Sequence, residues 1–235
     1  MHFESTGGRR MIDSDNAYLQ TRDAYNQIAR RYASIWTEET LDVDLLKMFR
    51  TSLKVGSTVL DVGCGPGQYS RQLRALQYEV ISVDFSSEMA RIVVENDQAA
   101  AGSTLVMDMR HLGIGDTRID AIWACASTVH ITASDMPSVL SEFRRVLKPN
   151  GRILVNAIVS PLGLRVESAA EVAGRSTVGR TFQHYPNEEA FTSMLADSGF
   201  GIVRTSRKRI ESRVLECSRH PTNMWVNFLC KRVDS

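Results

Sequence analysis

The sequence predicts an α/β protein on a doubly wound, mostly parallel sheet with helices on both faces. Short apolar runs ending near residues 62, 83, 107, 124 and 156 alternate with segments of helical periodicity. The clearest of these runs do not alternate polar with apolar residues, as expected of strands covered on both faces. Between the first run and its helix stand Gly63, Gly65 and Gly67. A chain of 235 residues suffices for one such domain with a sizeable core and is too short for two.

The organising stretch is Thr58 to Gly67, T-V-L-D-V-G-C-G-P-G, followed by Tyr69, Leu73 and Leu76 at helical spacing. It reads as strand, glycine turn and helix. Such a turn admits positive φ or close approach of backbone to a ligand, the layout of a nucleotide-type cofactor site at the carboxyl end of a first strand. A dinucleotide fingerprint would need glycine at position 68, where this chain has Gln68. Asp61, two residues before Gly63, would repel a pyrophosphate but suits an ammonium or sulfonium cation. The stretch resembles the first motif of class I S-adenosylmethionine-dependent methyltransferases: a hydrophobic run, an acidic residue, then G-x-G-x-G. A glycine turn in an unrelated α/β protein is the plainer alternative, and a dinucleotide oxidoreductase is disfavoured by the glycine spacing and Asp61.

The other elements follow in order. Residues 1–16 are polar and expected to be poorly ordered. Ala17 to about Met48 carries two helical patterns. Within the first, Tyr25 to Tyr32 resembles the Y-x-x-I-A-x-x-Y opening of small-molecule methyltransferases, which implies an active-site cover over 17–50; an aromatic stripe also reads as plain core. The second strand, from Glu79, ends in Asp84, 84 − 61 = 23 residues after Asp61. A carboxylate there is placed to accept from both ribose hydroxyls. It could instead cap the next helix, for which Ser86 and Ser87 also qualify.

That helix, about 87–99, presents Met89, Ile92 and Val93, and a short strand leads to Asp108-Met109-Arg110. This resembles the family's second motif, which implies that Asp108 accepts from the adenine amine with Met109 over the ring; Met109 as core filler is the alternative. A fourth strand, Ile119 to Ala124, carries Asp120 in an F-D-x-I/V-like setting and leads to His130, placed like the family's L-x-H segment. A helix near Pro137, capped by Ser134 or Asp135, runs into Lys148-Pro149-Asn150-Gly151, similar to the R-x-L-K-P-G-G signature before a fifth strand, Arg152 to Asn156. Residues 158–186 lack clear periodicity and are expected to form a lid carrying Phe182, His184 and Tyr185, or else a surface loop that these aromatics anchor. A helix capped by Asn187 and strands at about 202–213 and 224–231 close the chain.

The resemblance runs from about residue 17 to 232. It implies a single Rossmann-like methyltransferase domain over 17–235, with strand order 3-2-1-4-5-7-6 and the seventh strand antiparallel. It further implies S-adenosylmethionine as cofactor, held by Tyr25, Asp61, Gly63, Cys64, Gly65, Gly67, Asp84, Phe85, Met89, Asp108, Met109 and Ala124, with His130 and His184 as candidate catalytic residues. The expected reaction is methyl transfer to oxygen or nitrogen of a small-molecule acceptor. The alternatives are a tRNA nucleoside or other macromolecule as acceptor, or a non-methylating protein that keeps the cofactor site.

Composition bounds the rest. Net charge of +1 gives no global footprint for nucleic acid. The basic run Arg204, Arg207, Lys208, Arg209 and Arg213 reads as a solvated strand edge. Cys64, Cys125, Cys217 and Cys230 show no C-x-x-C pair or metal-ligand spacing, so no metal is expected and a reducing compartment fits. No apolar run reaches membrane-spanning length and no apolar leader opens the sequence, so a cytoplasmic protein is expected; oligomeric state stays open.

Overall fold

The computed structural model describes residues 14–35, 41–160, 165–168, 181–209 and 224–234. In chain order the elements are α1 (Ser14–Ile35), α2 (Val43–Arg50), β1 (Thr58–Val62), α3 (Gln68–Ala75), β2 (Glu79–Asp84), α4 (Ser87–Asn96), β3 (Thr104–Val106), β4 (Ile119–Ala124) and α5 (Met136–Val146). Then come β5 (Leu147–Val159), β6 (Arg165–Ser168), β7 (Thr181–Tyr185), α6 (Glu188–Asp197), β8 (Phe200–Arg209) and β9 (Met224–Arg232). Residues 1–13, Cys217 and Arg213 lie outside the described residues.

Seven strands follow the order β3-β2-β1-β4-β5-β9-β8, with the first five parallel and β9 antiparallel to both its neighbours. This is the expected sheet. Strand alternation divides the core. Leu60 and Val62 of β1 pack with Ile122, Ile153 and the apolar face of α5 (Val139, Leu140, Phe143). Val59 packs on the opposite face with Trp123, Leu154, Phe49 of α2 and Leu73 of α3. Asp61 shares the parity of Val59 and is therefore turned toward α2 and α3.

Two sequence signatures turn out to be one staple. Lys148 Nζ lies 2.9 Å from both oxygens of Asp120, whose Oδ2 also accepts from the Thr58 amide at 2.9 Å. The K-P-N-G stretch is not a turn ahead of the fifth strand but an irregularity within it. β5 begins at Leu147, Asn150 has φ 63°, and the register on β4 shifts between Ile119 and Ala121.

The main departure from expectation lies in 158–186, where the described residues contain two strands. β5 pairs with β4 only as far as Val155, and β9 occupies its other edge through Val159. The β4-side edge at Ile158 and Val159 is thus open, and β7 fills it in parallel, with Ile158 opposite His184 and Val159 opposite Tyr185. β6 pairs antiparallel on β7. A short added ladder therefore stands just beyond the carboxyl end of β4.

α1 crosses the same end of the sheet. Ala29, Tyr25 and Tyr32 pack on Met89 and Ile92 of α4. The Tyr18 hydroxyl donates to Asp135 Oδ2 at 2.5 Å and accepts from the Thr132 amide at 3.1 Å. Asp135 stands at the N-cap position of α5 yet makes no cap bond, its carboxylate being engaged by Tyr18 and Thr132.

Candidate active site

A cavity of ≈ 770 Å³, counting its open mouth, lies where β1, β2 and β4 end beneath α1. The floor is the glycine turn, in which Gly63, Gly65 and Gly67 have φ of 67°, 54° and 85°. The Gly63 and Cys64 amides donate to Val83 O at 2.8 and 3.0 Å, binding the turn to β2. A Cβ on Gly63 would lie 2.3 Å from Ser127 Cβ, so only glycine lets the turn after β1 pass the turn after β4.

Asp84 stands at the end of β2 as expected. Its Oδ2 accepts from the Gly65 amide and its Oδ1 from the Ser86 amide, both at 2.8 Å. Capping of α4 falls to Ser86, whose hydroxyl accepts from Met89 N at 3.2 Å. Asp84 thus ties the glycine turn to the start of α4 while facing the cavity with its remaining acceptor capacity. Burial pushes its carboxyl up to about 6.

Tyr25, Gly63, Gly65, Asp84, Phe85, Met89, Asp108, Met109 and His130 all line the cavity. The Asp108 carboxylate is shared with Arg110, which contacts both its oxygens, at 2.7 Å for the shortest, and stacks over the Tyr18 ring at 4.2 Å. His130 sits in the turn after β4. Its Nε2 is 2.9 Å from the Tyr25 hydroxyl and its Nδ1 2.7 Å from Thr181 O at the start of β7.

Five expected site residues are not cavity-lining. The parity of β1 turns Asp61 into the interior, where Ser70 Oγ of α3 donates to it at 2.6 Å. Ser82 in turn donates to Ser70 at 2.8 Å, and Arg74 donates to Ser82 at 3.1 Å. Cys64 packs on Val93 and Ala100, and Gly67 lies against Val93, so both serve the α3–α4 contact. Ala124 is enclosed in the sheet core. His184 is fully buried on β7, which holds it away from the cavity.

Conversely, α1 supplies Tyr18, Thr21, Arg22 and Tyr32 besides Tyr25, and the turn after β4 supplies Ala126, Ser127 and Ile131. Positions 18, 22, 25 and 32 fall on one helical face, which is the signal that points to them. Ser127 Oγ is buried with no hydrogen-bond partner among the described residues. Ala126 holds φ 57° and gives its amide to Asn156 Oδ1 at 3.0 Å, which fixes this turn.

The buried Asp61 makes a stability prediction. Burial, opposed by the Ser70 hydrogen bond, pushes its carboxyl up from 3.8 to about 7. Between those values the folded chain keeps a proton that the unfolded chain has lost, so this group lowers stability as pH rises through the window. Asp61→Asn should be more stable than the parent at pH 8, by ~2–4 kcal/mol, with the advantage gone near pH 4. Melting curves from pH 4 to 8 with no gain at the alkaline end would refute this.

S-adenosylmethionine fits what the cavity presents. Asp84 offers carboxylate acceptors to a ribose, Phe85, Met89 and Met109 offer apolar and thioether surface to a base, and the open backbone at Gly65 offers close approach to a chain. The comparisons agree. A family model described as Methyltransferase domain matches residues 59–151. Malonyl-[acyl-carrier protein] O-methyltransferase of Erwinia pyrifoliae is 33% identical over 147 residues, 63% of this chain and 55% of that protein. The chain spans about half the length of such curated relatives. The Burkholderia thailandensis 1,6-didemethyltoxoflavin-N1-methyltransferase, solved with 1,6-didemethyltoxoflavin and S-adenosylhomocysteine, aligns over 100% of this chain and 99% of its own at TM-score 0.73 and 15% identity. The [4+2]-cyclase SpnF aligns over 82% of this chain and 80% of its own at TM-score 0.61 and 19% identity. At such identities the likeness is one of fold.

Proposed function

We propose that this chain is a class I S-adenosylmethionine-dependent methyltransferase and that it transfers a methyl group to oxygen or nitrogen of a small-molecule acceptor. The observation that carries the reading is Asp84, poised at the end of β2 on the Gly65 and Ser86 amides and turned to a cavity that also holds His130. When bound, the cofactor supplies a sulfonium-activated methyl electrophile, so the protein mainly has to place a nucleophile in line with it. Gly63, Gly65, Asp84, Phe85, Met89, Asp108 and Met109 hold the cofactor, and the mouth under α1, with Tyr25, Ser127 and His130, receives the acceptor. Of the two helices expected as cover, α1 plays that part, whereas α2 packs on the sheet with Val59, Trp123 and Leu154, and β7 reaches the site through Thr181 O beside His130. A cytoplasmic setting suits the free thiols of Cys64, Cys125 and Cys230.

A second reading, an acceptor carried on an acyl-carrier protein, has support in the curated relatives, named for such an acceptor. A nucleic-acid acceptor has less support, since Arg207 and Lys208 of the basic run are occupied by Glu188 and Asp42. The deciding experiment is release of S-adenosylhomocysteine, followed by mass spectrometry, over a panel of free small molecules and the same acids loaded on a carrier protein. Turnover only with loaded carrier would replace the first reading by the second. Tight S-adenosylmethionine binding without turnover on any acceptor would leave a non-methylating protein that keeps the cofactor site.

A further inference from the structure

The hydrogen bonds around His130 fix more than its position. Thr181 O can only accept, so Nδ1, 2.7 Å away, carries the imidazole proton. In the neutral ring Nε2 is then a bare acceptor, and the Tyr25 hydroxyl at 2.9 Å donates to it. Ring contacts hold the pair, with Tyr25 at 5.3 Å and Phe182 at 4.7 Å from the imidazole centroid. Both Tyr25 and His130 line the cavity, as does Ser127, whose buried hydroxyl has no partner among the described residues. The acceptor end thus presents a phenol backed by the imidazole nitrogen.

Among the described residues, Arg22 is the arginine lining the cavity, and its guanidinium lies 2.8 Å from Asp23 and over the Phe85 ring at 5.5 Å. A carboxylate acceptor has no proton for this pair to take. An acceptor with a weakly acidic O–H or N–H uses everything that is there.

We propose that Tyr25 takes the acceptor's proton and passes its own to His130, and that the acceptor is a neutral phenol, enol or ring N–H compound. This rests on the methyl-transfer reading above. In the step, a lone pair on the acceptor oxygen or nitrogen forms the bond to the methyl carbon. The carbon–sulfur bond breaks with its pair left on sulfur, neutralising the sulfonium. The acceptor proton moves to Tyr25 Oη as the Tyr25 proton moves to His130 Nε2, and the resulting imidazolium releases one proton to water after product departure.

The test has two arms. Nitrogen NMR of ¹⁵N-histidine protein, with the His130 signals assigned by His130→Gln, should show the Nδ1–H tautomer both alone and with S-adenosylhomocysteine. Tyr25→Phe, which keeps the ring contacts, should shift Nε2 and leave Nδ1 protonated. An Nε2–H tautomer overturns the relay whatever the activity. On phenols, enols and ring N–H heterocycles, Tyr25→Phe should lower kcat about 100-fold or more, with the Kd for S-adenosylhomocysteine nearly unchanged. A matching loss of S-adenosylhomocysteine affinity would make Tyr25 a cofactor-holding residue and overturn the assignment. Transfer to carboxylic acids at a rate indifferent to Tyr25→Phe overturns relay and acceptor class while methyl transfer stands. No transfer to any probe, with S-adenosylhomocysteine bound, sinks both.

Discussion

Asp84→Ala should weaken S-adenosylmethionine binding by about 100-fold or more, since two hydrogen bonds to a charged acceptor are worth roughly 1.5–3 kcal/mol each. Each Asp84 oxygen already accepts one loop amide, so the carboxylate is held rigidly before a ribose arrives. Removing it also releases Gly65 and Ser86, and with them the geometry of the turn. Asp84→Asn should not rescue, because its amide nitrogen would face a backbone N–H at one of those two positions. The pH dependence has a defined sign. Burial raises the Asp84 carboxyl to about 6, so affinity should fall as pH drops through that value and the group becomes a poorer acceptor. Calorimetric titration at pH 5 and 8 measures both effects. Binding by the alanine variant within threefold of the parent would sink the ribose assignment.

How much of this could be read from the chain depends on where each residue's information is stored. The strand–turn–helix units were legible because parallel strands covered on both faces announce themselves as short apolar runs, and the glycines mark the turn directly. The place of Asp84 was legible because the acidic residue closes the apolar run of β2. Asp61 was not, since its direction depends on which helix packs on which side of β1, a tertiary property. Here odd positions face α2 and α3, and the carboxylate reaches Ser70 instead of the cavity. Cys64 and Gly67 are likewise claimed by the α3–α4 contact. The stripe of Tyr18, Arg22, Tyr25 and Tyr32 is plain on a helical wheel, but the wheel does not say whether it covers core or cavity. The β6–β7 ladder arises because β5 outruns β4, a difference of strand lengths that no local pattern of 158–186 contains.

Gly63→Ala and Gly65→Ala should separate folding from binding within one turn. At Gly63 the added Cβ meets Ser127 Cβ at 2.3 Å and Ser127 Cα at 3.5 Å, with φ at +67°. The turn cannot retreat without breaking the Gly63 and Cys64 bonds to Val83 O. Positive φ costs about 1–2 kcal/mol for a non-glycine residue, and overpacking adds about 1–3. For a chain of this size that is a fall of roughly 4–20 °C in melting temperature without any ligand. At Gly65 the nearest atoms to a Cβ are Gln68 Oε1 at 3.8 Å and Tyr32 Cε1 at 3.9 Å, so the methyl has room. It fills cavity floor beside the amide that Asp84 holds. Its conformational cost, about 1–2 kcal/mol at φ +54°, should lower the melting temperature by only a few degrees, while cofactor affinity falls about tenfold or more. Melting scans and titrations on the two variants read these separately. Equal melting of Gly63→Ala and the parent would mean that the two turns do not touch as closely as their backbones require. Full cofactor affinity in Gly65→Ala would mean that no ligand approaches the floor, and the glycine would then serve the turn's φ alone.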